Sequence, residues 1–279
     1  MAIEFVGRRG VQATTNVGSL ALSTTGLAAG IDTEVRVGDF IVLLAGWAST
    51  SDGNPGVTDT TLTWTEAADL YANDTNDANL SVNWAQVTTT PPATISLRTA
   101  GAAVIQGAVM LVFRGVDTTS PLDVAIATAT GTNSPYPSPP SATPATTGAV
   151  SVVGGVYAVP SGSGRTVTAS PTGYVWGIAF SSTATNPVGG GIIAHKTGLT
   201  AGVTETPSAF TISGGADTSS SWAAFTMVLR PAASSSSGNI KVWDGTAWTA
   251  KPVKIWNGSS WETKPVKYWN GTTWVTTTY

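Results

Sequence analysis

The sequence predicts an all-β protein, and three observations lead to that prediction. Only 10% of the 279 residues are charged, while 31 are glycine and 16 are proline, a composition that favours strands joined by turns. No segment repeats apolar residues at the i, i+3, i+4, i+7 spacing of an amphipathic helix. Apolar and β-branched runs instead recur about every ten residues between turn formers. We therefore expect a two-sheet, jelly-roll-like β-sandwich.

Each predicted strand is an apolar or β-branched run bounded by Gly, Pro, Asn or Asp. The main runs are Phe40–Trp47, Thr61–Thr65, Leu80–Val87, Ala93–Leu97, Val104–Phe113, Ala149–Ala158, Thr166–Ala169, Tyr174–Phe180, Gly191–His195, Ala209–Ile212 and Trp222–Leu229. Shorter candidates are Ile3–Val6, Ser19–Leu22 and Leu122–Ala127.

The body of the chain also shows signs of an internal duplication. The run Gly38–Trp47 resembles Thr147–Val156, because each is a long apolar strand entered through a glycine turn. Later in each half, Val109–Arg114 resembles Thr226–Arg230. We expect each half to supply similar strands to one sandwich.

Two segments without strand signals divide the chain. Pro135–Pro144 is expected to be a stiff polyproline connector between the halves. Pro231–Gly238 has the composition of a flexible coil. The predicted organisation is a sandwich body at 1–231 with pseudo-halves at about 1–130 and 145–231, a Ser-rich linker at 232–239, and a module of three hairpin repeats at 240–279.

The last 39 residues repeat one 13-residue unit three times. A spacing repeated without error indicates a repeated structural unit. Asn-Gly or Asp-Gly between two short apolar runs predicts a β-hairpin, with positive φ expected at both turn residues. One Lys and two Trp of each unit are expected on a single hairpin face, as candidate binding residues. They are Lys241, Trp243 and Trp248; Lys254, Trp256 and Trp261; and Lys267, Trp269 and Trp274.

Two interpretations of these tryptophans stay open. In the first, the six indoles form the core of a module too small to build any other core. In the second, some indoles are exposed platforms for sugar rings, a cell-wall polymer or another protein. The two are compatible, since a thin stack of hairpins has two faces and can bury only one.

Charge and residue usage argue against several functional classes. Residues 1–240 carry eight Arg or Lys against fourteen acids, so the body lacks the basic surface of a nucleic-acid-binding protein. The longest apolar run, Phe40–Ala48, is too short to cross a bilayer, and we expect no membrane insertion. The N-terminal residues lack the apolar core of a signal peptide. With no Cys and one His a zinc site is not expected, nor is any cofactor.

Three candidate sites have simpler explanations. His195 is the only histidine, and no Gly-x-Ser-x-Gly elbow occurs with it, so an inert histidine is expected. Asp69, Asp74 and Asp77 belong to an Asn- and Asp-rich segment that could offer oxygen ligands to Ca²⁺. The EF-hand spacing is absent, and such residues also form turns, so no metal is expected. Glycoside hydrolysis needs only two carboxylates, but nothing singles out a pair, and we expect no enzyme.

The motif Lys-x-Trp-Asn/Asp-Gly-x-x-Trp-x-x-Lys-Pro-Val resembles the C-terminal repeats of many tailed-bacteriophage minor tail and fibre proteins. The segments Tyr71–Leu80 and Phe113–Asp123 resemble a β-sandwich common in phage and prophage virion proteins. The tail is also similar to choline-binding repeats, but it departs from their longer unit and their extra aromatic pair.

The phage resemblance implies a non-enzymatic structural protein of the virion, assembled in the host cytoplasm. As a tail fibre or minor tail component it would contact the host surface, with polysaccharide as the expected ligand. It would be oligomeric in the particle and would contact other virion proteins. The alternative is a capsid decoration or head-fibre protein in which one module anchors to the shell. A polysaccharide depolymerase is a minor alternative.

Overall fold

The computed structural model describes residues 2–12, 17–22, 26–98, 107–160, 165–182, 188–214, 217–233, 240–264, 267–269 and 274–276. All the regular secondary structure in these ranges is β-strand, which confirms the predicted all-β fold. The body strands are β1 (Glu4–Gln12), β2 (Ser19–Ala21), β3 (Phe40–Ser49), β4 (Trp64–Ala72), β5 (Asp77–Gln86), β6 (Thr94–Ser96), β7 (Gly107–Arg114), β8 (Ala127–Thr132), β9 (Val150–Val159), β10 (Val167–Ala169), β11 (Val175–Ser182), β12 (Val188–Lys196), β13 (Thr211–Ile212) and β14 (Ser221–Leu229).

The body is a sandwich of two five-stranded antiparallel sheets. The first sheet has the strand order β1-β7-β3-β5-β4, and the second has the order β11-β12-β9-β14-β8. The short strands pair as β2-β6 and β10-β13. One contiguous half of the chain builds each large sheet, because the first sheet ends at Arg114 and the second begins at Ala127.

The two large sheets have the same topology. Read from its other edge, the second sheet is β8-β14-β9-β12-β11. In each sheet, the strand that comes first in the sequence therefore pairs with the strand that comes last, and this last strand also pairs with the second. The registers correspond as well: Phe40 lies opposite Phe113, and Val150 lies opposite Leu229. Across the sandwich β1 faces β11, β4 faces β8 and β3 faces β9. The sheets therefore pack like the subunits of a two-fold symmetric dimer.

The central strands β3 and β9 meet through small-to-large residue pairs. A Cβ atom on Gly46 would lie 2.3 Å from Cγ2 of Val156, and one on Gly154 would lie 2.9 Å from Cδ1 of Leu44. Both pairs join corresponding positions of the two halves, 110 residues apart in the sequence. Glycine on one side accommodates the larger side chain on the other, so the facing surfaces of the two halves are complementary in shape.

Loops cover the outer face of each large sheet. On the first sheet, Ile41 and Met110 are buried with Leu20 of β2 and Ile95 of β6. On the second sheet the cover includes the segment 135–144, whose Pro137 and Pro140 carbonyls accept hydrogen bonds from Phe210 N and Thr226 Oγ1. The proline-rich segment therefore packs on a sheet and is not a connector between the halves.

The β4 and β8 boundaries differ most from the prediction. The predicted strand Thr61–Thr65 is replaced by Trp64–Ala72, because polar residues that suggested a loop lie on the outer face of a strand. The candidate Leu122–Ala127 shifts to Ala127–Thr132. Its alternating partly buried and exposed residues suit an edge strand with one solvent face.

Residues Ala233–Tyr279 are a unit separate from Ala2–Ala232. The predicted linker lies largely outside the described residues. Beyond it are three two-stranded antiparallel hairpins: β15 (Ile240–Trp243) with β16 (Trp248–Lys251), β17 (Lys254–Trp256) with β18 (Trp261–Thr263), and β19 (Lys267–Trp269) with β20 (Trp274–Thr276). Within the described ranges, no helix is long and apolar enough to cross a membrane.

Candidate tryptophan-pair binding sites

The two tryptophans of each repeat lie directly opposite each other at the loop end of a hairpin. Trp243 is paired with Trp248, Trp256 with Trp261, and Trp269 with Trp274. The indole centroids are 5.9 Å apart in the first hairpin and 5.7 Å in the second, at interplanar angles of 57° and 58°. Two separate copies of the sequence thus produce the same tilted ring pair.

Each described loop contains four residues and is closed by an Asp or Asn side chain. Asp244 Oδ1 accepts hydrogen bonds from the backbone N–H groups of Thr246 and Ala247, both at 2.9 Å. Asn257 Oδ1 accepts equivalent bonds from Ser259 and Ser260. The expectation of positive φ at both turn residues is wrong for these loops, because only the glycine that follows has it, with φ of 103° in both. The loop of the third hairpin lies outside the described residues.

The tryptophan side chains described in the hairpins are exposed. Trp243 and Trp256 are both 51% exposed, and Trp248, Trp261 and Trp274 are 64–65% exposed. The interpretation that all six indoles form a buried core is therefore wrong for these five residues within one chain. The side chains of Trp269 and Lys241 lie outside the described part of the structure.

The opposite face of each of the first two hairpins carries an exposed apolar residue that sequence reasoning did not single out. Val242 is 47% exposed and Ile255 is 53% exposed. Each directly precedes the first Trp of its repeat, so strand alternation places it on the other face. That alternation was the available sequence signal. Both hairpin faces thus offer apolar contact area.

The candidate lysines lie on the tryptophan face. Lys254 is paired with Thr263, two positions from Trp256 along the strand, and is exposed. Lys241 and Lys267 have the corresponding register positions, opposite Ala250 and Thr276. The nine predicted residues are thus arranged by the backbone as three copies of one Lys-Trp-Trp face.

The three carboxylates of the calcium candidate do not converge. Asp69 lies within β4 opposite Ser81, whereas Asp77 accepts hydrogen bonds from Tyr71 Oη and from the backbone N–H of Asp74, both at 2.7 Å. No group of three His, Cys, Asp or Glu side chains in the described ranges could hold a metal ion. Asp74 and Asp77 instead close the turn between β4 and β5.

His195 lies within the sandwich core. Its ring centroid is 4.2 Å from that of Phe5 and 5.6 Å from that of Phe113, and only 2% of the residue is exposed. Burial, with a smaller contribution from the positive charge of Arg8, lowers the pKa of His195 to about 4. The imidazole is therefore neutral at pH 7 and packs as an aromatic core residue.

A polar surface on the outer face of β4 and β5 was not predicted. A β-bulge at Ala67 places Glu66 and Asp69 on the same face of β4, where their register partners are Asn83 and Ser81. Glu66 accepts a hydrogen bond from Ser81 Oγ at 3.0 Å. Burial and the negative charges of Glu66 and Asp52 raise the pKa of Asp69 to about 6. The bulge that aligns these carboxylates has no sequence signature.

No family model, curated protein or solved structure matches the chain.

Proposed function

We propose that the chain is a non-enzymatic structural protein of a bacteriophage particle, a tail fibre or minor tail component. In this proposal its C-terminal hairpins bind carbohydrate on the host surface. The observation that carries the proposal is the pair of exposed indoles at the loop end of each of the first two hairpins. A pyranose ring has flat apolar faces, and an exposed indole offers a matching flat surface with little side-chain entropy to lose.

The body is suited to carry the hairpin tail on the particle. Its two sheets bury apolar residues both between them and beneath their outer loops, and it forms one unit without the tail. The resemblance of the repeats to those of phage tail and fibre proteins, and of two body segments to a β-sandwich of phage virion proteins, supports placement in the virion. Other virion proteins and a host polysaccharide are the partners that this function requires.

Deletion of residues 240–279 tests the assignment, with particle incorporation and host adsorption measured separately. We expect particles to incorporate the shortened protein and to adsorb poorly. If adsorption is unchanged although the tail is absent, the hairpins do not contact the host.

A second candidate is supported by the other hairpin face. Exposed Val242 and Ile255 could pack against a shell protein, as in a capsid decoration or head-fibre protein with an anchoring tail. The same deletion separates the two functions. An anchoring tail requires loss of incorporation while the purified body still binds cells.

A further inference from the structure

We propose that each hairpin is a subsite for an anionic sugar residue, so that the tail recognises an acidic polysaccharide. This inference rests on the proposed carbohydrate function and adds the charge class of the ligand. It follows from which charged side chains share a face with the indole pairs.

Each Trp–Trp pair has a lysine next to it on the same face. The neighbouring same-face pair is Lys241 opposite Ala250, Lys254 opposite Thr263, or Lys267 opposite Thr276. Same-face positions along a strand are about 7 Å apart. A sugar ring stacked on the indoles can therefore extend a charged substituent toward the lysine ammonium.

The two acids of the tail do not compete for this position. Glu262 is paired with Ile255, so it lies on the opposite face, where its carboxylate is 2.9 Å from Lys264 Nζ. Asp244 belongs to a loop, and its Oδ1 accepts the backbone N–H groups that close the turn. The strand positions of the tryptophan face thus carry positive charge and no negative charge.

The lysines also argue against a cationic ligand. Pairs of indoles can bind quaternary ammonium groups through cation–π attraction. A lysine about 7 Å from the indole pair repels such a ligand and attracts an anion. An acidic polysaccharide can stack its sugar rings on the indoles and pair its charged groups with the lysines. Three tandem units allow multivalent binding.

Calorimetric titration of the full-length protein with four polymers tests the proposal. The probes are polygalacturonate, a phosphomannan, and the carboxyl-reduced and dephosphorylated neutral forms of the two. We expect at least one acidic polymer to bind about tenfold more tightly than its neutral form. The preference should shrink as NaCl is raised from about 0.05 to 0.5 M, because salt screens exposed charges. The acidic polymer that binds identifies carboxylate or phosphate as the recognised group.

Two matched variants show where the charge acts. Lys254→Ala/Lys267→Ala removes two lysines from the tryptophan face, and Lys251→Ala/Lys264→Ala removes two from elsewhere in the tail. The first leaves only Lys241 on that face and should lose most of the preference for the acidic form, and the second should keep it within about twofold. Circular dichroism from the coupled indoles verifies that the hairpins of both variants remain folded.

Three outcomes would overturn the inference. Equal binding of acidic and neutral forms removes the charge preference but leaves the proposed carbohydrate function standing. Equal losses in the two double variants would mean that the tail attracts anions nonspecifically. Absence of binding to all four polymers would contradict both the inference and the proposed function.

Discussion

At the scale of single residues, the body relies on close contacts between its two sheets. His195 of the second sheet packs against Phe5 and Phe113 of the first, and Gly46 and Val156 meet where the two central strands approach. These contacts join residues more than 80 positions apart in the sequence. They make the stability of the sandwich sensitive to the charge and volume of individual side chains.

His195 should make the body less stable in mild acid. Its folded pKa is about 4, below the unfolded value of about 6.5, so between these values the unfolded chain binds a proton that the native protein does not. The stability that the neutral ring contributes is therefore complete above pH 6.5 and is lost as the pH falls toward 4, by about 3 kcal/mol in total. Urea unfolding of the wild type and His195→Leu at several pH values measures the difference. Equal pH slopes for the two proteins would refute the assignment.

Gly46 should tolerate no side chain unless Val156 is replaced by a smaller residue. In Gly46→Ala the new Cβ would lie 2.3 Å from Val156 Cγ2, so we expect a loss of about 1–3 kcal/mol from overpacking. Val156→Ala alone leaves a cavity, and the double variant should recover part of both losses. A double-mutant cycle of unfolding free energies measures this coupling. Additive losses would show that the two residues do not share one packing site.

At the scale of elements, each described hairpin loop is capped by the Oδ1 atom of its Asp or Asn, which accepts backbone N–H groups of the loop. Asp244 and Asn257 make the same side-chain bonds in their loops, and Gly245 and Gly258 take the same positive φ. A two-stranded hairpin is only marginally stable in water, so its turn carries much of its stability. The loops thus hold the tryptophan pairs in position.

Removing the cap should melt one hairpin without affecting the body. Asn257→Ala deletes the Oδ1 acceptor and should destabilise the second hairpin by about 1 kcal/mol, enough to depopulate it substantially. Asn257 Nδ2 also donates a hydrogen bond to Glu262, so the matched control is Asn257→Asp/Glu262→Thr, which gives the second hairpin the residues of the first repeat at both positions. The indole-coupling signal in circular dichroism should fall in the first variant and persist in the second. An unchanged signal in Asn257→Ala would show that the cap is dispensable.

Local sequence patterns predict these elements well and the body's polar surface poorly. The hairpins follow from Asn-Gly, Asp-Gly and alternating Trp, which act over a few residues. The exposure of the indoles could not be predicted, because it depends on whether hairpin faces pack on each other. The alignment of Glu66 with Asp69 was also missed, since a single bulge reverses which face each later residue occupies.

At the scale of the whole molecule, a sandwich whose two large sheets share one topology precedes a separate hairpin unit. The similar strand runs Gly38–Trp47 and Thr147–Val156 form the corresponding central strands of the two sheets, and they could be found from the sequence because a buried central strand has a strong apolar signal. The pairing order within each sheet depends on contacts between distant strands and could not be predicted from local patterns. The proline-rich segment was misinterpreted for the same reason.

The body should fold without the tail. A chain ending at Ala233 retains both sheets and the hydrogen bond from Ala232 N to Gly115 O. We expect its melting temperature to lie within about 2 °C of the body transition in the full chain, because surface changes away from the core have small effects. Differential scanning calorimetry of the two proteins makes the comparison. A much lower transition would show that the tail stabilises the sandwich.

The most direct test of the proposed function is the binding of full-length protein to host cells after the tryptophan face is removed. Trp243→Ala/Trp256→Ala/Trp269→Ala should bind at least about tenfold more weakly, and stripping polysaccharide from the cells should reduce wild-type binding similarly. Val242→Thr/Ile255→Thr, which alters only the opposite face, should bind like the wild type. Undiminished binding by the tryptophan variant, or by the wild type to stripped cells, would contradict the proposal that exposed indole pairs recognise host carbohydrate.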